Sequence, residues 1–195
     1  MGSILEKLGS AFVLGLILMA LVLFGFHGPA VGDNAIAFGQ AVTRYVHVFL
    51  GILWIGLLYY FNFVQIPTMP KVPAELKPGV SKYIAPAALF WFRWAAAGTV
   101  AVGLILAMHM GYLVESLTLQ PGFALIGVGM WLGIVMAFNV WFIIWPNQKK
   151  ALGIVEADAD TKAKAARIAM LTSRTNFVLS LPMLYSMTTY QTLPA

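Results

Sequence analysis

The sequence contains no cysteine. That absence excludes disulfides, thiolate metal sites, iron–sulfur clusters and thiol nucleophiles, and with them covalent haem attachment through a CxxCH motif. Any metal must take its ligands from histidine, methionine or oxygen. Charge is scarce as well: the chain has 7 Asp and Glu and 12 Lys and Arg, 10% in all, where a soluble domain carries about 25%. So few charges cannot cover a surface that faces water on every side. The net charge of +5 does not point to nucleic acid, because the basic residues lie in short loops between apolar runs, where membrane orientation puts them.

What the chain has in abundance is apolar length. Of its 195 residues 61% are hydrophobic, and the mean hydropathy is +0.85. Five runs come close to the ~20 residues that cross a ~30 Å hydrocarbon core. They span about 11–27, 44–66, 87–113, 123–145 and 168–190. The first is long for the apolar core of a signal peptide and reads as a retained span. Pro67 and Pro146 stand where the second and fourth runs end, since proline lacks the helical donor and restricts its predecessor. Pro182 falls inside the fifth run and predicts a kink. A stretch with Glu156, Asp158 and Asp160 ahead of Lys162, Lys164 and Arg167 has the polarity of a helix start. The expectation is an all-α integral membrane protein, one transmembrane domain over 1–195 with about five helices and no internal repeat.

Orientation follows from the cations. Threading five spans puts Lys7, Lys71, Lys77, Lys82, Arg93, Lys149, Lys150, Lys162, Lys164, Arg167 and Arg174 on one side and leaves only Arg44 on the other. The bias predicts an N-terminus inside and a C-terminus outside, in the inner (cytoplasmic) membrane of a bacterium.

Two sets of residues carry candidate chemistry. His27, His47 and His109 share the outer leaflet in this threading. Two imidazoles at equal depth on neighbouring helices suit a non-covalent b-type haem, whose iron takes axial nitrogens from opposite sides. His47 and His109 are the expected haem ligands, with Gly51 one turn from His47 to admit a flat macrocycle and Trp54 continuing that face. Interfacial histidines also hydrogen-bond to headgroups or backbone, which needs no cofactor. The inner half collects Asn62, Gln65, Arg93, Asn139, Asn147, Arg174 and Asn176. Arg93, Arg174, Asn176, Asn62 and Asn139 form the candidate binding set for a planar anion. The alternative is that the arginines snorkel to headgroups while the amides join helices. The tryptophans Trp91, Trp94, Trp141 and Trp145 read as an interfacial belt.

Three segments, HVFLGILWIGLLYYFNF from His47, FNVWFIIWPNQKK from Phe138 and SRTNFVLSLPMLYSM from Ser173, together resemble the membrane domain of the membrane-bound urate oxidase (urate hydroxylase) family. The resemblance covers most of the chain after residue 40. It implies oxidation of urate with electrons passed to a cytochrome, in proteins whose long form appends a cytochrome c domain after the membrane part. This chain carries no CxxCH, so the resemblance implies a separate carrier, a cytochrome or a quinone. The leading expectation is therefore a membrane oxidoreductase acting on a small urate-like anion through haem b. The rival is a non-catalytic accessory subunit of a larger respiratory or oxygenase complex, or a homo-oligomer, packed through Gly98, Gly103, Gly127, Gly129 and Gly133. A small-anion transporter ranks behind both.

Overall fold

Every regular element among the described residues is helical. The computed structural model describes residues 5–193, and it divides into two compact units, Met1–Val42 and Thr43–Ala195.

In the first unit, α1 (Leu8–His27) is apolar on all faces and buries no residue. A helix of that kind needs an apolar solvent around it. A short helical turn, Ala30–Asp33, follows, and then the first residues of α2 (Ala35–Lys71). The second unit holds the rest of α2, then α3 (Lys77–His109), the short α4 (Leu113–Leu117), α5 (Ala124–Ala151) and α6 (Ala159–Thr189). Helices α1, α2, α3 and α5 are long and apolar enough to cross a membrane. Helix α6 has 31 residues, ample length at 1.5 Å per residue. Its lysines and arginines, with Ser173, Asn176, Ser180 and Ser186, make it the most polar of the long helices. Asp158 caps its start by accepting from Thr161 N–H at 2.8 Å.

Helices α2 and α5 run past the prolines expected to end them. The reason is a recurring device. Each of three π-helical turns, Tyr60–Gln65, Val80–Ile84 and Asn139–Ile144, stops two residues short of a proline: Pro67, Pro86 and Pro146. The residue just before each proline closes an i to i−5 bond, Ile66 to Phe61, Ala85 to Val80 and Trp145 to Val140. The wider turn shifts the ladder by one residue, so the pyrrolidine ring meets slack where a tight α turn would offer a carbonyl. Pro182 lies within α6 and the helix continues through it.

The core of the second unit joins Trp54, Leu58 and Phe61 of α2, Phe92 and Ala96 of α3, Met136 and Val140 of α5, and Met183 of α6. In lipid this packing is held by dispersion and close backbone approach. Gly127 of α5 is the tightest case, because an added Cβ would land on the backbone oxygen of Ser116 in α4. Of the glycines read as faces for partner helices, Gly98, Gly103, Gly127 and Gly129 are occupied by Leu50, His47, Ser116 and Ser186 of this same chain. Gly127→Ala should destabilise the purified protein by about 1–3 kcal/mol, seen as a lower melting temperature in detergent. Gly15→Ala, at a glycine with nothing within 4 Å, should leave that temperature unchanged.

Candidate functional site

Between α2, α3, α5 and α6 lies a cavity of about 580 Å³. Its walls are mainly aliphatic, with Ile52 and Ile55 on one side and Ile126 and Ile134 on another. Arg44 and His47 are the only residues of its lining that carry a titratable cation. His47 Nδ1 lies 2.9 Å from the backbone oxygen of Thr99. A carbonyl only accepts, so Nδ1 holds the proton and donates, and in the neutral ring Nε2 keeps the free lone pair. This is the arrangement in which a histidine ligates metal through Nε2 while a backbone carbonyl fixes its tautomer. The ring lies against Gly103, where a Cβ would come within 2.7 Å of Cε1. Gly103 is therefore what gives the imidazole its place. Gly51 and Trp54 line the same cavity.

His109 does not join them. It stands six residues past Gly103, which on a helix is a rise of about 9 Å and a rotation of about 240°. It is exposed and forms no part of the lining. The second wall that faces the cavity instead carries the thioethers of Met130, Met183 and Met187. Arg44, Tyr112, Tyr190 and Gln191 also contribute. Burial, with Tyr190 nearby, raises the Tyr112 phenol above its ordinary range, and Arg44 only partly opposes this. Tyr112 is thus a neutral hydroxyl at physiological pH, and Arg44 is the one fixed charge. Thr99, Gly103 and the methionines were not legible as site residues, since only the cross-helix register brings them to His47. Arg44 was legible, being one turn from His47 on the same face of α2, although the count of cations singles it out only as the lone outer charge.

These donors suit a non-covalent haem b with one histidine. The volume lies in the range of cofactor pockets, His47 would hold the iron through its Nε2 lone pair, and a guanidinium suits a propionate; of the three thioethers, that of Met130 already accepts from Ser116 Oγ.

The other predicted set is arranged differently. Asn139 Nδ2 donates to Asn176 Oδ1 at 2.8 Å, and Asn176 Nδ2 donates to Met136 O at 2.9 Å. Asn176 is fully buried. Asn62 donates to Leu58 O at 2.9 Å and to Ser173 Oγ at 3.0 Å. The Arg93 guanidinium lies 3.3 Å from the ring centre of Trp145 and 5.8 Å from that of Trp141, and Trp141 Nε1 donates to Arg93 O. Arg174 is exposed. None of these five lines the cavity beside His47. The amides join helices α2, α5 and α6, and Arg93 is held by cation–π contact.

Residues 116–191 match the family model described as urate oxidase N-terminal. That segment holds the end of α4, all of α5 and α6, and two of the three resembling motifs. No curated protein and no solved structure matches the chain.

A double-mutant cycle on Asn139→Ala and Asn176→Ala should give a coupling of about 0.6–1.7 kcal/mol, the range for hydrogen bonds between membrane helices. Arg174→Ala should stay within about 0.5 kcal/mol of wild type. Both are read from unfolding in mixed micelles.

Proposed function

We propose that this chain is a membrane oxidoreductase of the urate oxidase kind. It takes electrons from a small urate-like anion and hands them to a separate carrier, a cytochrome or a quinone, with haem b in the larger cavity as redox centre. The haem, when bound, supplies one-electron chemistry. The chain supplies ligation, orientation and exclusion of water. His47 would hold the iron through Nε2, with Thr99 O and Gly103 fixing the ring. Arg44 would pair with a haem carboxylate, and the aliphatic walls would keep water from the macrocycle.

The observation that carries this reading is the His47 imidazole, locked in its Nδ1–H form against α3 at the edge of an apolar cavity of about 580 Å³. The family match over residues 116–191 supports the urate-like substrate. With the cationic loops taken as cytoplasmic, in a bacterial inner membrane, the His47 end of the bundle faces outward. That is where an external carrier would collect electrons.

Purified protein from haem-sufficient cells should show a b-type band in its reduced-minus-oxidised spectrum. His47→Ala should abolish the band and His109→Ala should retain it. Gly103→Ala, which displaces the ring, should lower haem occupancy about tenfold, as loss of a ligand-orienting contact does. A wild-type protein without the band, or a band that survives His47→Ala, sinks the haem reading.

A further inference from the structure

We infer that a second, smaller cavity at the other end of the bundle is a binding site for a small, flat, uncharged ligand that presents an amide-like edge, N–H beside C=O. The cavity has a volume of about 200 Å³. A water takes ~30 Å³ of liquid, so the space is several waters large. It is also below the ~300 Å³ at which pockets for drug-sized ligands begin. Phe61, Phe92, Leu89 and Ile144 form apolar walls, the two phenylalanines meeting edge to face at 5.5 Å.

Three polar side chains line it: Gln65, Gln148 and Ser173. Gln65 Oε1 is shut away from the surface and accepts no hydrogen bond. Ser173 Oγ accepts from Asn62 Nδ2, and among the described hydrogen bonds its own proton is given to nothing. Gln148 adds a carboxamide with both functions. The lining therefore offers an open acceptor, an open donor and one group that is both, with no charged residue among them. The complement of that set is a neutral lactam edge. A carboxylate or phosphate would enter without a cation to meet it.

The backbone points the same way. Gln65 ends the π turn Tyr60–Gln65, and Gln148 sits in the turn that follows the π turn Asn139–Ile144. Two helices thus use the same irregularity, one that recurs at functional sites, to bring a carboxamide to one cavity. In the oxidoreductase reading the substrate would dock here in its neutral, protonated form, held by hydrogen bonds and not by the arginines. That role rests on the reading; the site itself does not.

The test is equilibrium dialysis of the full chain in lipid nanodiscs with radiolabelled hypoxanthine, a neutral lactam, as the probe. Hypoxanthine should bind saturably at one site per chain. Gln65→Met and Ser173→Ala should each weaken it about tenfold, the loss of one hydrogen bond in a dry site. The melting temperature should be no lower than wild type in Gln65→Met, while Ser173→Ala, which also frees Asn62, is read on the folded fraction. Arg93→Gln and Arg174→Gln should not change it. No saturable binding to wild type, which would leave a cavity filled by ordered water alone, overturns the site. So does binding that ignores Gln65→Met and Ser173→Ala, or that is lost in Arg174→Gln. The haem band read on the same samples separates the two claims. Its absence with binding intact removes the redox role only, and its presence without binding removes this site only.

Discussion

No water is available inside a bilayer to satisfy a stray donor or acceptor, so nearly every polar group in this bundle must find its partner within the chain. That requirement organises the structure. Thr99 turns its hydroxyl back to Ala95 O at 2.7 Å while its carbonyl serves His47. Ser180, Ser186 and Thr188 likewise bond to carbonyls three or four residues earlier on α6. The asparagines pair across helices, and the π turns absorb the prolines. What remains unmatched is informative: Trp54 Nε1, Asn62 Oδ1, Gln65 Oε1 and Arg93 Nε are buried without partners. Trp54 lines the large cavity and Gln65 the small one, and Asn62 is bonded to the Ser173 that lines the small one. Two of the four thus belong to residues that line a cavity, while Asn62 and Arg93 line neither.

The two cavities differ because the same helices present different chemistry at their two ends. Between them the bundle is solid, with Trp54, Leu58, Phe92, Met136 and Val140 all but inaccessible. At the His47 end the helices part around aliphatic walls and glycines. At the Gln65 end the π turns displace the backbone and bring carboxamides inward. A wide apolar slot with one imidazole favours a large lipophilic cofactor, and a narrow slot with three neutral hydrogen-bonding groups favours a small polar ring. Neither would serve well in place of the other.

Helical class and the existence of the long helices were legible from apolar run length alone. So was the grouping of His47, Gly51 and Trp54, because residues three and four apart share a face of one helix without reference to any other. What could not be read was register between helices. Counting depth from the ends of apolar runs put His47 level with His109, but α3 stops at His109 itself, short of the end of its apolar run. The residue that meets His47 is Gly103, six positions away. The same ambiguity hid the partners of the inner polar set. Arg93 and the asparagines could be assigned to one half of the chain's spans from run boundaries. Whether they converge on a ligand or on each other and the tryptophans depends on rotations that a single helix does not encode.

The extent of the family match bears on which part of this arrangement is shared. Residues 116–191 supply Ile126, Met130, Gly133, Met183 and Met187 to the large cavity, and Ile144, Gln148, Met170 and Ser173 to the small one. Half the wall of the small site and somewhat less of the large one therefore lie in the matched segment. His47, Arg44 and Gln65, which bring an imidazole, a guanidinium and an open amide oxygen, come from α2, outside it. A fold that builds both cavities from a common pair of helices, α5 and α6, and equips them from a third can keep its frame while its chemistry changes through few positions. The frame speaks for the relationship, and the imidazole and carboxamide on α2 speak for what this particular chain does with it.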